Sequence, residues 1–266
     1  MILRCNGQWK EGGSLIKGMK YKALMLDVDG TLIQNKKDGL PSVRVIRAIQ
    51  KAQEKIHVGL ATSRPLFLLP EILQKVPLFG PSVLNGGAEI IDLSTHTILL
   101  EHIISESDLA FLLEKLTSSG LPVWLDDGKS EERYTNAERD YSNIKKVLVH
   151  SVSEKIVDEL IRETSHVSSF AHHKTPSWDI GNFSIFFTNA QATKQHGIWE
   201  VARMLEIETQ EIIGVGDGHN DFPLLMACGL KVAMGNAVED LKAIADYVAP
   251  GVEEDGVAEV IERFIL

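Results

Sequence analysis

The sequence predicts an α/β protein: a parallel sheet assembled from two separated stretches of chain, with an α+β unit inserted between them. Three observations carry this. The segment Tyr21–Val28, YKALMLDV, has the apolar density of a strand covered on both faces, as in parallel sheets. Strand-like and helix-like segments alternate from there to Asn85, and the alternation resumes at Lys194. The middle third breaks that rhythm and reads as hairpins mixed with helices.

The elements follow in order. After the opening strand, SVRVIRAIQKAQEK at 42–55 reads as an amphipathic helix capped by Ser42, with Val43, Ile46 and Ile49 on its apolar face. A second buried strand, His57 to Thr62, runs into Ser63-Arg64-Pro65. Pro65 suits a helix start, the helix extends over 66–76, and Pro70 disturbs it. Residues 81–85, PSVLN, give a third strand of the parallel sheet, closed by Gly86-Gly87. Residues 88–104 then read as a hairpin, and 105–119 as a helix opened by Ser105 and Asp108 at capping-box spacing and stopped by Gly120. Strand-like VWLDD and KKVLVHS follow, then a helix over 154–163 and apolar IGNFSIFFTN. The first texture returns with a helix over 195–205, a strand over 211–216, GDGHND, a helix to Cys228, and strands over 230–234 and 246–249. A helix over 237–244 separates those two strands, and a terminal helix starts at Gly256.

This gives an N-terminal extension over 1–18, a discontinuous core over 19–87 and 192–266, and an insert over 88–191. The extension lacks a clean period, and the domain proper is expected to begin near Met19. A formal net charge of -10 argues against a nucleic-acid-binding surface. No apolar run reaches the roughly 18 residues of a spanning helix, so no membrane role is expected. Cys5 and Cys228 make no disulfide framework or metal cluster, and with no signal peptide they fit a cytoplasmic protein, as packing or surface residues.

Two acidic clusters stand at strand ends, DVDGT at 27–31 and GDGHND at 216–221. A buried lone carboxylate is costly unless it is paired or bound to metal. Oxygen-rich strand ends meeting at one sheet edge suit Mg²⁺, with Asp27 and Asp217 as ligands. Thr62 offers a hydroxyl to a phosphate oxygen, and Lys194, opening a helix, offers a point charge. Read singly, Asp27 and Asp29 are a turn, Thr62 a strand end and Lys194 a surface lysine. The histidines His172, His173 and His219 read as packing or surface residues rather than ligands, and Trp124 and Trp178 as core or interface rather than a substrate platform.

DVDGTL, AT followed by SR, a lysine opening a helix after the insert, and GDGHND occur in the order of the four motifs of the haloacid dehalogenase-like hydrolases. LNGG at 84–87, VAMGNAVEDLKAIADYVAP and EEDGVAEVIE resemble the Cof-type, subclass IIB phosphatases. The resemblance runs from about Lys20 to Leu266 and is weakest in the insert. It implies a Rossmann-like core with the insert as a cap, and a Mg²⁺-dependent phosphatase acting on a small phosphorylated metabolite such as a sugar phosphate. On that reading Asp27 is the nucleophile and Asp29 the general acid and base, whose backbone carbonyl joins Asp27 and Asp217 on the metal. Thr62 and Lys194 hold the phosphate, and Asn220 and Asp221 orient Lys194 or a metal-bound water. Where the family usually has TGR, Ser63 replaces the glycine, and Gln195 follows the lysine where glycine is often found. A phosphomutase of the same architecture, or a phosphate-accepting regulatory module, are the alternatives. Which phosphate ester is taken (sugar phosphate, phosphoglycolate-like acid, nucleotide or pyridoxal phosphate) stays open, as does the oligomeric state.

Overall fold

The computed structural model describes residues 20–36, 38–135 and 140–266, and the backbone of 2–5 and 8–11. Ile2–Cys5 and Gln8–Glu11 pair as an antiparallel hairpin. The rest of the expected extension, the Cys5 side chain and the expected domain start at Met19 lie outside the described residues.

The main sheet has five parallel strands in the spatial order Tyr247–Val248, Leu230–Ala233, Ile212–Gly216, Ala23–Leu26, His57–Leu60. Its two middle strands are buried along their whole length, as their unbroken apolar runs require. From Ala23–Leu26 the chain steps one way to His57–Leu60. From Ile212–Gly216 it steps the other way. The two acid-bearing strands therefore flank the point where strand order reverses, where open α/β sheets bind ligands.

The helix Val43–Gln53 starts where expected, with Ser42 accepting from the Val45 N–H at 3.2 Å. Its buried face is Val45, Ala48, Ile49 and Ala52, with Ile46 half-buried against the core, so Ile46 and Ile49 lie where expected while Val43 is exposed. Small alanines let the helix approach the sheet. Pro70 does break the next helix: a 3-10 turn at Leu66–Leu68 is followed by Pro70–Lys75.

The expected third strand is present at Pro81–Leu84 and meets the main sheet in parallel sense through a bridge between Ala61 and Val83, but along its length it pairs antiparallel with Glu89–Asp92, which pairs with Thr97–Glu101. Ile90, Ile91 and Leu93 of this hairpin pack in the core cluster of the main sheet. A second cluster begins at Ile104 and runs to Phe187. The change of unit therefore falls near residue 104, not at the expected 88, because the hairpin buries its apolar residues against the core.

The second unit is a five-stranded antiparallel sheet in the order Phe170–Pro176, Phe183–Asn189, Lys146–Val152, Trp124–Asp126, Glu131–Arg133. Glu106–Ser118 and Glu154–Thr164 cover one face, with Leu109, Leu112, Val157 and Leu160 against Val147, Val149, Ile185 and Phe187. Strand side chains alternate between faces, so Lys146, Leu148, His150, Ser184 and Phe186 line the opposite face and the cavity beneath it. The two edge strands, EER and FAHHKTP, escaped the sequence reading because charged and polar residues at sheet edges hide the strand pattern.

His57 is half-buried at the start of the edge strand His57–Leu60, with its Nε2 2.9 Å from the Pro81 carbonyl oxygen. Burial lowers its pKa to about 4, against smaller upward pulls from that carbonyl and Asp92. The folded value lies below the unfolded value near 6.5, so between the two the unfolded chain binds more protons and stability falls as pH falls. Denaturant melts at pH 7 and pH 5 are expected to differ by on the order of 2 kcal/mol from this group. The His57→Gln variant is expected to lose less over the same interval. An equal loss in both proteins would remove His57 as the cause.

Candidate active site

Asp27 follows the strand Ala23–Leu26, its N–H donating to the Val215 carbonyl at 3.0 Å. Asp217 follows the neighbouring strand Ile212–Gly216. Adjacent strands in parallel register bring both carboxylates to one sheet edge. The turn after Asp27 needs glycine at position 30: its φ is +80°, and a Cβ there would lie 2.1 Å from Asp217 Oδ2. Thr31 Oγ1 donates to Asp217 Oδ1 at 3.1 Å, and Asn236 Nδ2 donates to the Gly30 carbonyl at 2.8 Å and to Asp217 Oδ2 at 3.5 Å.

Lys194 opens the helix Lys194–Leu205, which Thr193 caps by accepting from the His196 N–H. Gly197 lets that helix approach closely, since a Cβ would meet Val83 Cγ1 at 2.4 Å. The lysine is buried, and its Nζ donates to Asp27 Oδ1 at 2.6 Å and to Asp221 Oδ1 at 2.5 Å. The other oxygen of Asp221 accepts from the Asp217 and Gly218 N–H groups at 3.0 and 2.9 Å. Asp221 thus fixes the position of the Lys194 ammonium. Asn220 Nδ2 donates to Ser63 Oγ at 3.4 Å across the site.

Thr62 is buried at the end of its strand, and its Oγ1 accepts from the Arg64 N–H at 3.1 Å. Asp29 pairs with Arg64 through two bonds, Nε to Oδ2 at 2.8 Å and Nη2 to Oδ1 at 2.6 Å. This fork fixes the plane of the carboxylate. The motif SR signalled Arg64, but nothing in the sequence ties it to Asp29, 35 positions earlier.

One ligand oxygen each from Asp27, Asp217 and Asp221 lies within 4.8 Å of the others. Burial pushes the Asp27 carboxyl up to about 7, with the Asp221 charge adding and Lys194 opposing. Burial likewise holds Asp217 well above the usual carboxylate range, reinforced by Asp221 and Asp27. Burial alone would lower the Lys194 ammonium, but its two carboxylate partners outweigh it, hold it above the usual lysine range and keep it charged. One ammonium cannot neutralise three clustered carboxylates, so the donor set fits a hard divalent cation. Asp221 is committed to Lys194 and the backbone, which leaves Asp27 and Asp217 to supply carboxylate oxygens. The Asp29 carboxylate is not in this group.

A cavity of about 530 Å³ lies above these residues. Asp27, Asp29, Thr62, Arg64, Asp217 and Asn220 line its floor, and the uncovered face of the second sheet forms its roof. Lys146, unforeseen in the sequence, reaches from that roof to donate to the Ser63 carbonyl at 3.1 Å. Trp124 and Trp178 also line the cavity, with the Arg64 guanidinium 5.6 Å from the Trp178 ring centre. Neither tryptophan is in the core of the second unit: both stand on the cavity face between the two units, the interface alternative of the expectation. His172 and His173 hydrogen-bond Thr164 and Thr188, His219 stacks on Phe222, and Cys228 is buried beside Gly214.

Comparison with known proteins agrees with this geometry. A sequence model of haloacid dehalogenase-like hydrolases matches residues 24–170 and 125–261. The 5-amino-6-(5-phospho-D-ribitylamino)uracil phosphatase YcsE of Bacillus subtilis is 25% identical, over 92% of this chain and 96% of its own. A haloacid dehalogenase-like hydrolase from B. subtilis superimposes with a TM-score of 0.80 at 22% identity, over 91% of this chain and 99% of that one. A subclass IIB sugar phosphatase superimposes with a TM-score of 0.75 at 22% identity, over 91% and 98%. No helix among the described residues is long and apolar enough to cross a membrane. With the four motifs gathered at one sheet edge beneath a roofed cavity, the chain belongs to the haloacid dehalogenase-like hydrolases.

Proposed function

We propose that this protein is a Mg²⁺-dependent phosphatase that hydrolyses a small phosphorylated metabolite through an aspartyl-phosphate on Asp27. The observation that carries the reading is the buried Lys194 ammonium on Asp27 Oδ1, beside an Asp29 carboxylate clamped by Arg64 over the same cavity. Residues from about 104 to 191 act as the cap that closes the site.

In the first step a carboxylate oxygen of Asp27 forms a bond to phosphorus. The bond to the leaving alcohol oxygen breaks, and that oxygen takes a proton from Asp29. In the second step water attacks phosphorus, Asp29 takes its proton, and the Asp27 carboxylate leaves as inorganic phosphate forms. Both Asp29 oxygens accept from Arg64, so one of these bonds gives way when Asp29 holds a proton. Lys194 and the Thr62 hydroxyl, whose proton has no acceptor among the described residues, hold phosphate oxygens as charge moves through them. Asp27, Asp217 and the Asp29 backbone carbonyl would hold Mg²⁺, which when bound would offset the repulsion between nucleophile and phosphate.

Asp217→Ala is expected to bind Mg²⁺ weakly and to lose activity by on the order of 10²-fold or more. It keeps its fold, because the deleted carboxylate is buried among like charges. The test is continuous phosphate release from an ester panel with Mg²⁺, with chelator, and without any bisphosphate activator. Sustained release that chelator stops supports the reading. A requirement for a bisphosphate points to a mutase, and full activity of Asp217→Ala at limiting Mg²⁺ removes the metal assignment.

A further inference from the structure

The roof of the cavity carries a charge pattern that speaks to the leaving group. Glu131 stands on the edge strand of the second sheet, and its Oε1 lies 2.8 Å from His150 Nε2. His150 Nδ1 lies 3.4 Å from Ser184 Oγ, so a ring with its proton on Nε2 donates to Glu131 and accepts from Ser184. That arrangement occupies one oxygen of Glu131 and leaves Oε2 without a hydrogen-bond partner among the described residues. Burial pushes the Glu131 carboxyl up, but the His150 hydrogen bond, with the Lys146 charge, outweighs it and holds it below the usual range. The group is a carboxylate, turned to a cavity, with an acceptor to spare.

The other charges on that face either reinforce it or cancel. Asp179 lines the cavity as a second carboxylate, accepting from the Ser151 hydroxyl. The Lys146 ammonium is 3.3 Å from Asp126 Oδ2, a carboxylate buried behind it, and its Nζ bonds the Ser63 carbonyl. Arg64 is matched by Asp29. The described roof is thus acidic on balance, with Trp124 and Phe186 supplying apolar ring surface between its polar groups.

We propose that Glu131, oriented by His150, is a specificity-determining residue that accepts from a hydroxyl of the leaving group. It selects a neutral, polyhydroxylated monophosphate over an ester carrying a second negative group. The proposal rests on the phosphatase reading above. A leaving-group hydroxyl gives Oε2 the donor it lacks, and the rings cover the carbon-bound faces of the polyol. A second carboxylate or phosphate in the same place meets the like charges of Glu131 and Asp179 on the cavity face.

The experiment uses the full chain with Mg²⁺ and compares kcat/KM for D-ribose 5-phosphate and D-glucose 6-phosphate with that for 2-phosphoglycolate and 3-phosphoglycerate. The native protein is expected to favour the better sugar phosphate over the better phosphocarboxylate by about tenfold or more. Glu131→Gln narrows that ratio at least about threefold, chiefly through KM, and Glu131→Lys reverses it. Asp179→Asn narrows it less, and serves as the second variant if a Glu131 variant fails to fold. Because the ratio is taken within each protein, a general loss of activity cancels. Preference of the native protein for a phosphocarboxylate, or a ratio unmoved by the variants that fold, overturns the proposal. p-Nitrophenyl phosphate separates the two levels: turnover of it with the wrong ratio fails this inference alone, and no turnover of it fails the phosphatase reading and this inference together.

Discussion

Asp27→Asn is expected to give a folded protein with no measurable turnover of any phosphate ester, a loss of at least about 10⁴-fold. The amide keeps an oxygen that can accept from Lys194 but has no carboxylate to attack phosphorus. Stability is expected to hold or rise. Asp27 is buried beside Asp221 and Asp29, and the upward push on its pKa shows that its charge is a burden to the folded state. Removing that charge relieves repulsion without opening a cavity. A catalytic residue whose removal stabilises its protein is the signature of a site held in place by the rest of the fold. Kinetics with p-nitrophenyl phosphate and a thermal melt on the same sample check both halves, and residual activity within tenfold of native contradicts the assignment.

Lys194→Met is expected to fail differently. It removes the shared partner of Asp27 and Asp221, two buried carboxylates that the ammonium bridges. Breaking a buried pair from one side costs on the order of 3–5 kcal/mol. The phosphate also loses a cationic contact, so activity falls by about 10²-fold or more as stability falls. Added Mg²⁺ is expected to raise the melting temperature of this variant more than that of the native protein, because it supplies positive charge where the lysine stood. Denaturant melts with and without Mg²⁺ measure this. A variant as stable as the native protein in chelator contradicts the account of the cluster.

The floor of the candidate site was legible because each part announces itself locally. Asp27, Thr62 and Asp217 follow dense apolar strands, and Lys194 begins a helix behind a threonine cap. What stayed hidden depends on long-range pairing. Arg64 on Asp29, Lys146 on the Ser63 carbonyl, and Asn236 on Gly30 each join residues far apart in sequence. The Ser63 that departs from the usual glycine now has a visible consequence, since its hydroxyl accepts from Asn220. The boundary of the insert was misplaced because a hairpin at 89–101 looks the same from sequence whichever unit covers it. The roof was half legible. KVLVH alternates as a two-sided strand should, but only the fold shows that Lys146, Leu148 and His150 face that floor.

The covalent step on Asp27 is tested most directly by the Asp29→Asn variant. It keeps the nucleophile and lacks the group that activates water, so turnover falls by about 10²–10⁴-fold. With an aryl phosphate, whose leaving group needs little protonation, the first step outruns the second. Mass spectrometry of the quenched protein is expected to find one phosphoryl group on the peptide that contains Asp27, and none when Asp27→Asn is combined with Asp29→Asn. Phosphate found on another residue, or the same label persisting in the double variant, would contradict the account.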